Sequence, residues 1–368
     1  MAGLVAPLSQ EVEFRVTVVS PVTAAAPTGA AAPEPPPRRR RAARAAGLAA
    51  ALGVLLLVLA TSVAVGAKPL ALGEVWHGLA HYSGTDADVV VRDVRLPRTL
   101  LGLLVGAGLG LAGAVMQALT RNPLAEPGVL GVNAGASAAV VSAISFLGIT
   151  SPTGYVWFAF LGAAVVSVLV YALGGSRRAT PVRLALAGTA VTAALFGYVQ
   201  AVQLLDSAAL DTMRFWTVGS LAAANEDVLS QVAPFLAAGA LLALALGRPL
   251  NAIALGDDAA RALGARLNRT RVLAVLVITL LCGAATAACG PIAFVGLLVP
   301  HLVRALTGPD VRWTLAYAAV LAPALLLGAD IVGRVIARPG ELQVGVVTTL
   351  IGGPAFIYLV RRRRLAHL

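Results

Sequence analysis

The side chains able to do chemistry are few in this sequence, and their spacing suits no familiar reaction. His77, His81, His301 and His367 are scattered, form no metal-ligand cluster and face no nucleophile in a serine or cysteine pairing. His301 follows Pro300 with no second ligand at helical spacing, so it reads as a structural histidine. Cys282 and Cys289 stand seven residues apart, a separation of about 10.5 Å along a helix, which is beyond a disulfide's reach. They read as small apolar packing residues. No G-x-x-x-x-G-K-[ST] stretch occurs, so the chain lacks the loop that cradles ATP phosphates, and any ATP driving it must sit on a partner. The 17 acidic residues fall almost wholly in the N-terminal tail or between apolar runs, with Asp330 the main exception near the end of one. A carboxylate in the middle of an apolar run is the usual mark of proton or sodium coupling. Its absence disfavours a secondary transporter, and the lack of a nucleophile with a base disfavours a polytopic enzyme.

What must position these residues is a membrane bundle. Hydrophobic residues make up 58% of 368 positions, charged residues 12%, and mean hydropathy is +0.86, far below the roughly 25% charge of soluble domains. A bilayer core of about 30 Å needs about 20 apolar residues per helix. Ten apolar runs fit that measure, at residues 45–66, 99–119, 129–149, 155–173, 184–205, 229–246, 272–288, a shorter 292–305, 314–332 and 344–360. Their length and Ala/Leu content exclude a β-barrel and predict an all-α, polytopic fold.

Arginine sets the orientation. Arg38 to Arg41 and Arg44 precede the first run and Arg361 to Arg364 follow the last, so ten crossings leave both termini on the positive, cytoplasmic side. Arg177, Arg178 and Arg183, then Arg248, Arg261, Arg266, Arg269 and Arg271, fall in loops that this count also makes cytoplasmic. The net charge of +11 is therefore a matter of topology and lipid headgroups, not of nucleic acid. Residues 1–44 are basic and rich in Pro and Ala, and read as a disordered cytoplasmic tail. Residues 45–364 form the membrane domain and 365–368 a short C-terminal tail. The basic and apolar stretch 38–67 resembles a signal peptide, but its apolar part is long enough to span, which favours a retained helix.

Glycines Gly106, Gly108, Gly110 and Gly113 line the second run at spacings suited to close helix packing, and Pro123 and Pro127 break the chain after it. A tight bundle accounts for the glycines. The polar residues Gln117, Thr120, Arg121, Asn122 and Asn133 around the same turn also fit the wall of a water-lined path.

At this turn the sequence resembles a known family. Arg95-Leu96-Pro97-Arg98 is followed by Gly113-Ala114-Val115-Met116-Gln117, by Arg121-Asn122-Pro123-Leu124-Ala125-Glu126-Pro127-Gly128 and by Leu130-Gly131-Val132-Asn133-Ala134-Gly135-Ala136. Further along come Trp216 with Gly219-Ser220-Leu221, the run 255–264, the run 290–301, Ala329-Asp330, and Arg338-Pro339-Gly340-Glu341-Leu342. In this order they resemble the FecCD-type permeases, the membrane subunits of type II ATP-binding-cassette importers of iron siderophores, haem and vitamin B12. The resemblance spans roughly residues 45–364.

It implies a permease in the bacterial cytoplasmic membrane that binds no cofactor itself and imports a ferric siderophore, with cobalamin or haem as other chelates. The implied partners are a second permease, identical or paralogous, two ATPase subunits carrying ATP and magnesium, and an extracytoplasmic binding protein. By the same resemblance the ATPase-coupling loop is Leu255, Gly256, Asp257, Asp258, Ala259, Ala260, Arg261, Ala262, Leu263 and Gly264. Its acids suit a helix start and Gly264 a stop, and Ala259, Ala260 and Ala262 are small enough for close approach. Arg95, Arg98, Arg334 and Arg338 map to the outer face, against the positive-inside trend, as docking points for the binding protein; anchoring to headgroups is the other reading. Asn122 and Leu124 match a cytoplasmic gate, with Thr180 and Pro181 a second gate loop, although Pro181 replaces a small polar residue. Gln117, Asn133, Gln200 and Trp216 are candidates to line the path. Near Asn225 the chain lacks a second tryptophan that many relatives carry.

Overall fold

The computed structural model describes residues 37–175 and 181–365, and among them every regular element is helical. The chain opens with α1 (Pro37–Ala64), then the short α2 (Leu72–Ala80) and α3 (Asp86–Val89). A π-helical turn, Val90–Arg95, joins α3 to α4 (Leu96–Thr120) without a break. A 3-10 turn at Pro127–Leu130 leads into α5 (Val132–Leu147), α6 (Pro152–Leu173), α7 (Pro181–Leu205), α8 (Ser207–Trp216) and α9 (Glu226–Ala245). Two short helices, α10 (Gly247–Ala254) and α11 (Asp257–Ala262), precede α12 (Leu267–Cys289), α13 (Val295–Thr307), α14 (Val311–Ile336) and α15 (Val344–Leu365).

Each of the ten apolar runs falls on a helix. Over the described residues seven helices are long and apolar enough to cross a membrane: α1, the continuous Asp86–Thr120, α6, α7, α9, α12 and α14. The apolar parts of α5, α13 and α15 are shorter. The boundary of the tail needs correction. Residues 37–44, expected to be disordered, are helical, because Ala and Arg are strong helix formers and Pro37 occupies the first helical position, where its missing N–H costs nothing. Residues 1–36, the rest of that tail, lie outside the described residues. The chain divides after Arg41 into two units, the second running from Ala42 to the C-terminus. Two short helices, α2 and α8, occupy connections that hydropathy alone treats as loops.

Within the second unit α4 is the central helix. It packs against α14, α12, α13 and α9, and most of its residues are buried. Its glycines make this possible. A Cβ at Gly106 would collide with the backbone of Pro323, one at Gly110 with Ala322, and one at Gly113 with the carbonyl of Gly296. Gly108 faces the other way, toward Leu236 and Leu281. The peripheral helices show the opposite pattern, with Leu56 and Leu57 on α1, Leu161 and Val168 on α6, and Leu186 on α7 all exposed, as lipid-facing positions should be.

Candidate functional site

Of the four arginines expected on the outer face, Arg95, Arg334 and Arg338 meet the end of α1 and the residues after it, Arg98 joins them through Asp330, and Arg95, Arg98 and Arg334 are buried. A helix leaves its last carbonyls without partners, and α1 ends where these guanidinium groups can supply them. Arg95 donates to the carbonyls of Val63 at 3.0 Å and Ala64 at 2.6 Å. Arg334 donates to the carbonyls of Ser62 and Val65, both at 3.0 Å, and to the Ser62 hydroxyl at 2.9 Å. Arg338 reaches the Gly66 carbonyl at 2.7 Å. Two carboxylates complete the network. Asp330, fully buried, accepts hydrogen bonds from Arg98 at 2.7, 3.1 and 3.3 Å and pairs with Arg334 at 3.1 Å. Glu341, partly exposed, accepts from Arg98 at 2.7 Å. Of the four arginines expected to dock a binding protein, Arg95, Arg98 and Arg334 are therefore not exposed as that expectation supposed. Most of their donors are spent on the chain's own carbonyls and carboxylates, while the Arg334 Nε makes no hydrogen bond and meets Asp330 as an ion pair, and of the four only Arg338 is exposed.

At the other end of α4 the chain turns sharply. Arg121 ends the helix in the left-handed region, with φ at 52°, a conformation uncommon outside glycine. Asn122 closes an Asx turn by accepting the Leu124 N–H at 2.9 Å, and both residues are exposed. The turn is then fastened to α13. His301 donates from Nδ1 to the Pro123 carbonyl at 3.3 Å, which gives that histidine a structural part. Glu126 accepts the backbone N–H of Phe294, the residue that caps α13; burial nevertheless pushes its carboxyl above the ordinary range. Nothing in the sequence pattern singled out Glu126 beyond its place in a motif.

The candidate path residues do not form one wall. Gln117 is fully buried and donates to the Leu297 carbonyl at 3.0 Å, so it joins α4 to α13. Trp216 is buried at the end of α8, against Gly290. Asn133 is half-buried and accepts from Thr286 at 3.0 Å. Gln200 is exposed on α7. Thr180 lies outside the described residues, and Pro181 opens α7. Cys282 and Cys289 are both buried free thiols.

The segment 255–264 forms α11 and its flanks. Gly256 and Gly264 have φ of 106° and 77°, values that L side chains rarely adopt, and so set where α11 starts and stops. Its inner face is Ala260, fully buried against Ile253 and Leu267. Its outer face exposes Leu255, Asp258, Ala259, Ala262 and Leu263. The expectation that Ala260 offers close approach to a partner is therefore corrected: one helical step turns it into this chain's own core. Asp257 fastens α11 to the bundle, pairing with Arg271 at 2.7 Å and with Arg121. Burial works to raise its pKa, but the hydrogen bonds and charges of Arg271 and Arg121 outweigh it and hold the carboxyl below the ordinary range. Asp258 pairs only with Arg261 on the surface, at 2.8 Å. Behind α11, Asn251 accepts the Val311 N–H at 2.8 Å and donates to Asp310 at 2.7 Å. Asp310 caps α14, and although burial opposes it, hydrogen bonds from Arg312 and Asn251 lower its pKa to about 2.

Such a molecule has a rigid centre, one saturated charged end and one end with an exposed short helix. The sequence pattern of the FecCD transport family matches residues 54–362. The chain is 51% identical over 318 residues to the ferric enterobactin transport system permease protein FepD of Escherichia coli (strain K12), covering 84% of this chain and 94% of that one. It is 42% identical to the Fe(3+)-citrate import system permease protein YfmD of Bacillus subtilis (strain 168), covering 85% and 94%. Against the hemin transport system permease protein HmuU of Yersinia pestis the identity is 36%, covering 84% and 94%. Among solved structures, one of a metal-chelate type ABC transporter in an inward-facing conformation superposes with a TM-score of 0.77 at 28% identity, covering 86% of this chain and 98% of that one. The chain belongs to the FecCD transport family, and is a transport subunit and not an enzyme.

Proposed function

We propose that this chain is the membrane-spanning permease of an ATP-driven importer whose cargo is a ferric siderophore. The observation that carries this reading is the 51% identity to a ferric enterobactin permease over 94% of that protein's length. In this reading the ten apolar helices cross the cytoplasmic membrane with both termini inside, and two permeases, identical or paralogous, pair around the path. Two ATPase subunits, which carry the ATP and magnesium, contact the outer face of α11 through Leu255, Asp258, Ala259, Ala262 and Leu263. A binding protein delivers cargo to the opposite end, where Arg338 and the rim formed by Glu341 are accessible; the three buried arginines shape that rim from beneath. The exposed turn at Asn122 and Leu124 gates the inner side, and cargo moves by alternating access.

The test is uptake by cells that lack their own ferric-siderophore permease and receive this chain with a matching ATPase and binding protein. Radiolabelled ferric enterobactin should accumulate and the accumulation should stop on ATP depletion. Haemin and cobalamin, supplied in parallel, should be poor cargo. Uptake that survives ATP depletion but collapses with a proton uncoupler would overturn the reading in favour of a secondary transporter.

A further inference from the structure

A slot of about 440 Å³ opens between α9 and α12, at the end of the bundle that carries α11. Its walls are aliphatic, from Leu242 on α9, Leu246 at its C-terminal cap, and Leu273 and Val277 on α12, and its mouth is lined by Arg266 and Arg269. Both arginines are exposed. Their neighbours Arg261, Arg271 and Arg312 each pair with a carboxylate of this chain, whereas Arg266 and Arg269 have no acidic partner among the described residues. Arg266 caps α12 and Arg269 lies in its first turn, which holds no acid. Cations at a helix N-terminus stand at the unfavourable end of its dipole; the positive-inside trend accounts for the side on which they lie, but no acidic group among the described residues accounts for their place at this slot.

We propose that this slot binds one anionic phospholipid, with its phosphate on Arg266 and Arg269 and an acyl chain along Leu242, Leu246, Leu273 and Val277. A soluble anion satisfies the arginines and leaves the aliphatic walls wet. An uncharged lipid does the reverse. Only an amphiphile with a negative head answers both, and basic pockets between membrane helices select such headgroups. A second groove gives the contrast. On the neighbouring face of α12, against α6, lies a space of about 540 Å³ lined by Phe160, Val168, Tyr171, Leu276 and Leu280 and by no charged residue. It offers a tail the same hydrocarbon contact with no means of choosing the headgroup. The site also adjoins the segment assigned above to the ATPase, because Gly264 and Ala265 line the mouth of the slot. The lipid assignment itself does not depend on the importer reading.

The experiment uses the full chain in nanodiscs of phosphatidylcholine and phosphatidylglycerol in equal parts, with native mass spectrometry of the lipid retained after extraction. Wild type should retain phosphatidylglycerol in preference to phosphatidylcholine, and added inorganic phosphate should not displace it. Arg266→Gln with Arg269→Gln should lower that preference roughly 25-fold, the product of two headgroup contacts. Arg266→Lys with Arg269→Lys should keep most of it, and Arg261→Gln should leave it unchanged. Ala245→Trp, which fills the slot and leaves both arginines in place, should also reduce retention. Equal retention of the two lipids by wild type would overturn the proposal, leaving only annular contact. Displacement by inorganic phosphate would overturn it in favour of an anion site. Should the glutamine variant fail to fold, as judged by its tryptophan fluorescence melt, the wild-type preference and the phosphate competition still decide.

Discussion

Arginine crowds both ends of this bundle, yet the two crowds are unlike. Around the end of α1, Arg95, Arg98 and Arg334 are buried and their donors are committed to Asp330, Glu341 and the carbonyls of residues 62–68. Around α11 the arginines lie at the surface or half-buried, and only some find a carboxylate. The first set holds the molecule together. The second leaves charge available to something outside it. Position relative to the membrane does not separate these roles, since a charge counted on the outer side by topology turns out to be internal by packing.

The sharpest way to break this contrast is at Asp330. Asp330→Asn keeps the shape but leaves the buried Arg98 and Arg334 short of their shared counter-ion, and breaking a buried pair from one side costs about 3–5 kcal/mol. Thermal unfolding in detergent should show the loss, and a change no larger than a surface mutation would mean the network is wetter than its burial implies. A smaller effect is expected at Asp257→Asn, where the pairs with Arg271 and Arg121 are partly exposed and worth about 1 kcal/mol. Hydrogen exchange should rise in residues 257–264 while the core of α4 stays protected. The same clasp responds to pH. Because Asp257 titrates below its unfolded value, its contribution is complete above the ordinary carboxylate pKa of about 3.9 and fades as pH falls through the depressed one. Loss of protection in 257–264 on acidification should therefore vanish in Asp257→Asn. Least of all should follow Arg261→Gln, whose partner Asp258 is almost fully exposed. No measurable change in melting is expected, and a large one would show that α11 relies on its surface pair.

Contrasts within α11 sharpen the point further. Ala260→Leu should disrupt the helix from inside, because Ala260 is packed on Ile253 and Leu267, whereas Ala259→Leu and Ala262→Leu should leave the isolated permease intact and weaken co-purification of an ATPase. If all three behave alike, the outer face of α11 is not a docking face.

Hydropathy located the helices well because a run of about twenty apolar residues has few alternatives in a bilayer. The glycine face of α4 was equally legible, since Gly106, Gly110 and Gly113 announce close approach by spacing alone. Partnerships were not. Arg98 meets Asp330 across 232 residues of sequence and Arg334 meets Ser62 across 272, and no periodicity encodes contacts so remote. Gln117 looked like a polar residue on a path but bonds to a backbone carbonyl of α13. In α11, six residues long, the sequence cannot fix the helical phase, so Ala260 and its neighbours could not be told apart. The tail was misjudged near its end for a simpler reason: proline and arginine suggested disorder, while the Ala-rich stretch behind them extends a helix back to Pro37.

The seating of α4 limits how the protein can move. Gly106 and Gly110 lie on α14 and Gly113 on the α13 backbone with no room for even a methyl group, so α4 cannot roll about its own axis or ratchet along its neighbours without lifting off them. These three helices are therefore packed as a single wedge. Any rearrangement of the bundle would have to carry that wedge as a whole, and the room for slippage lies at the perimeter, where bulky side chains such as Leu57, Leu161 and Leu186 are exposed.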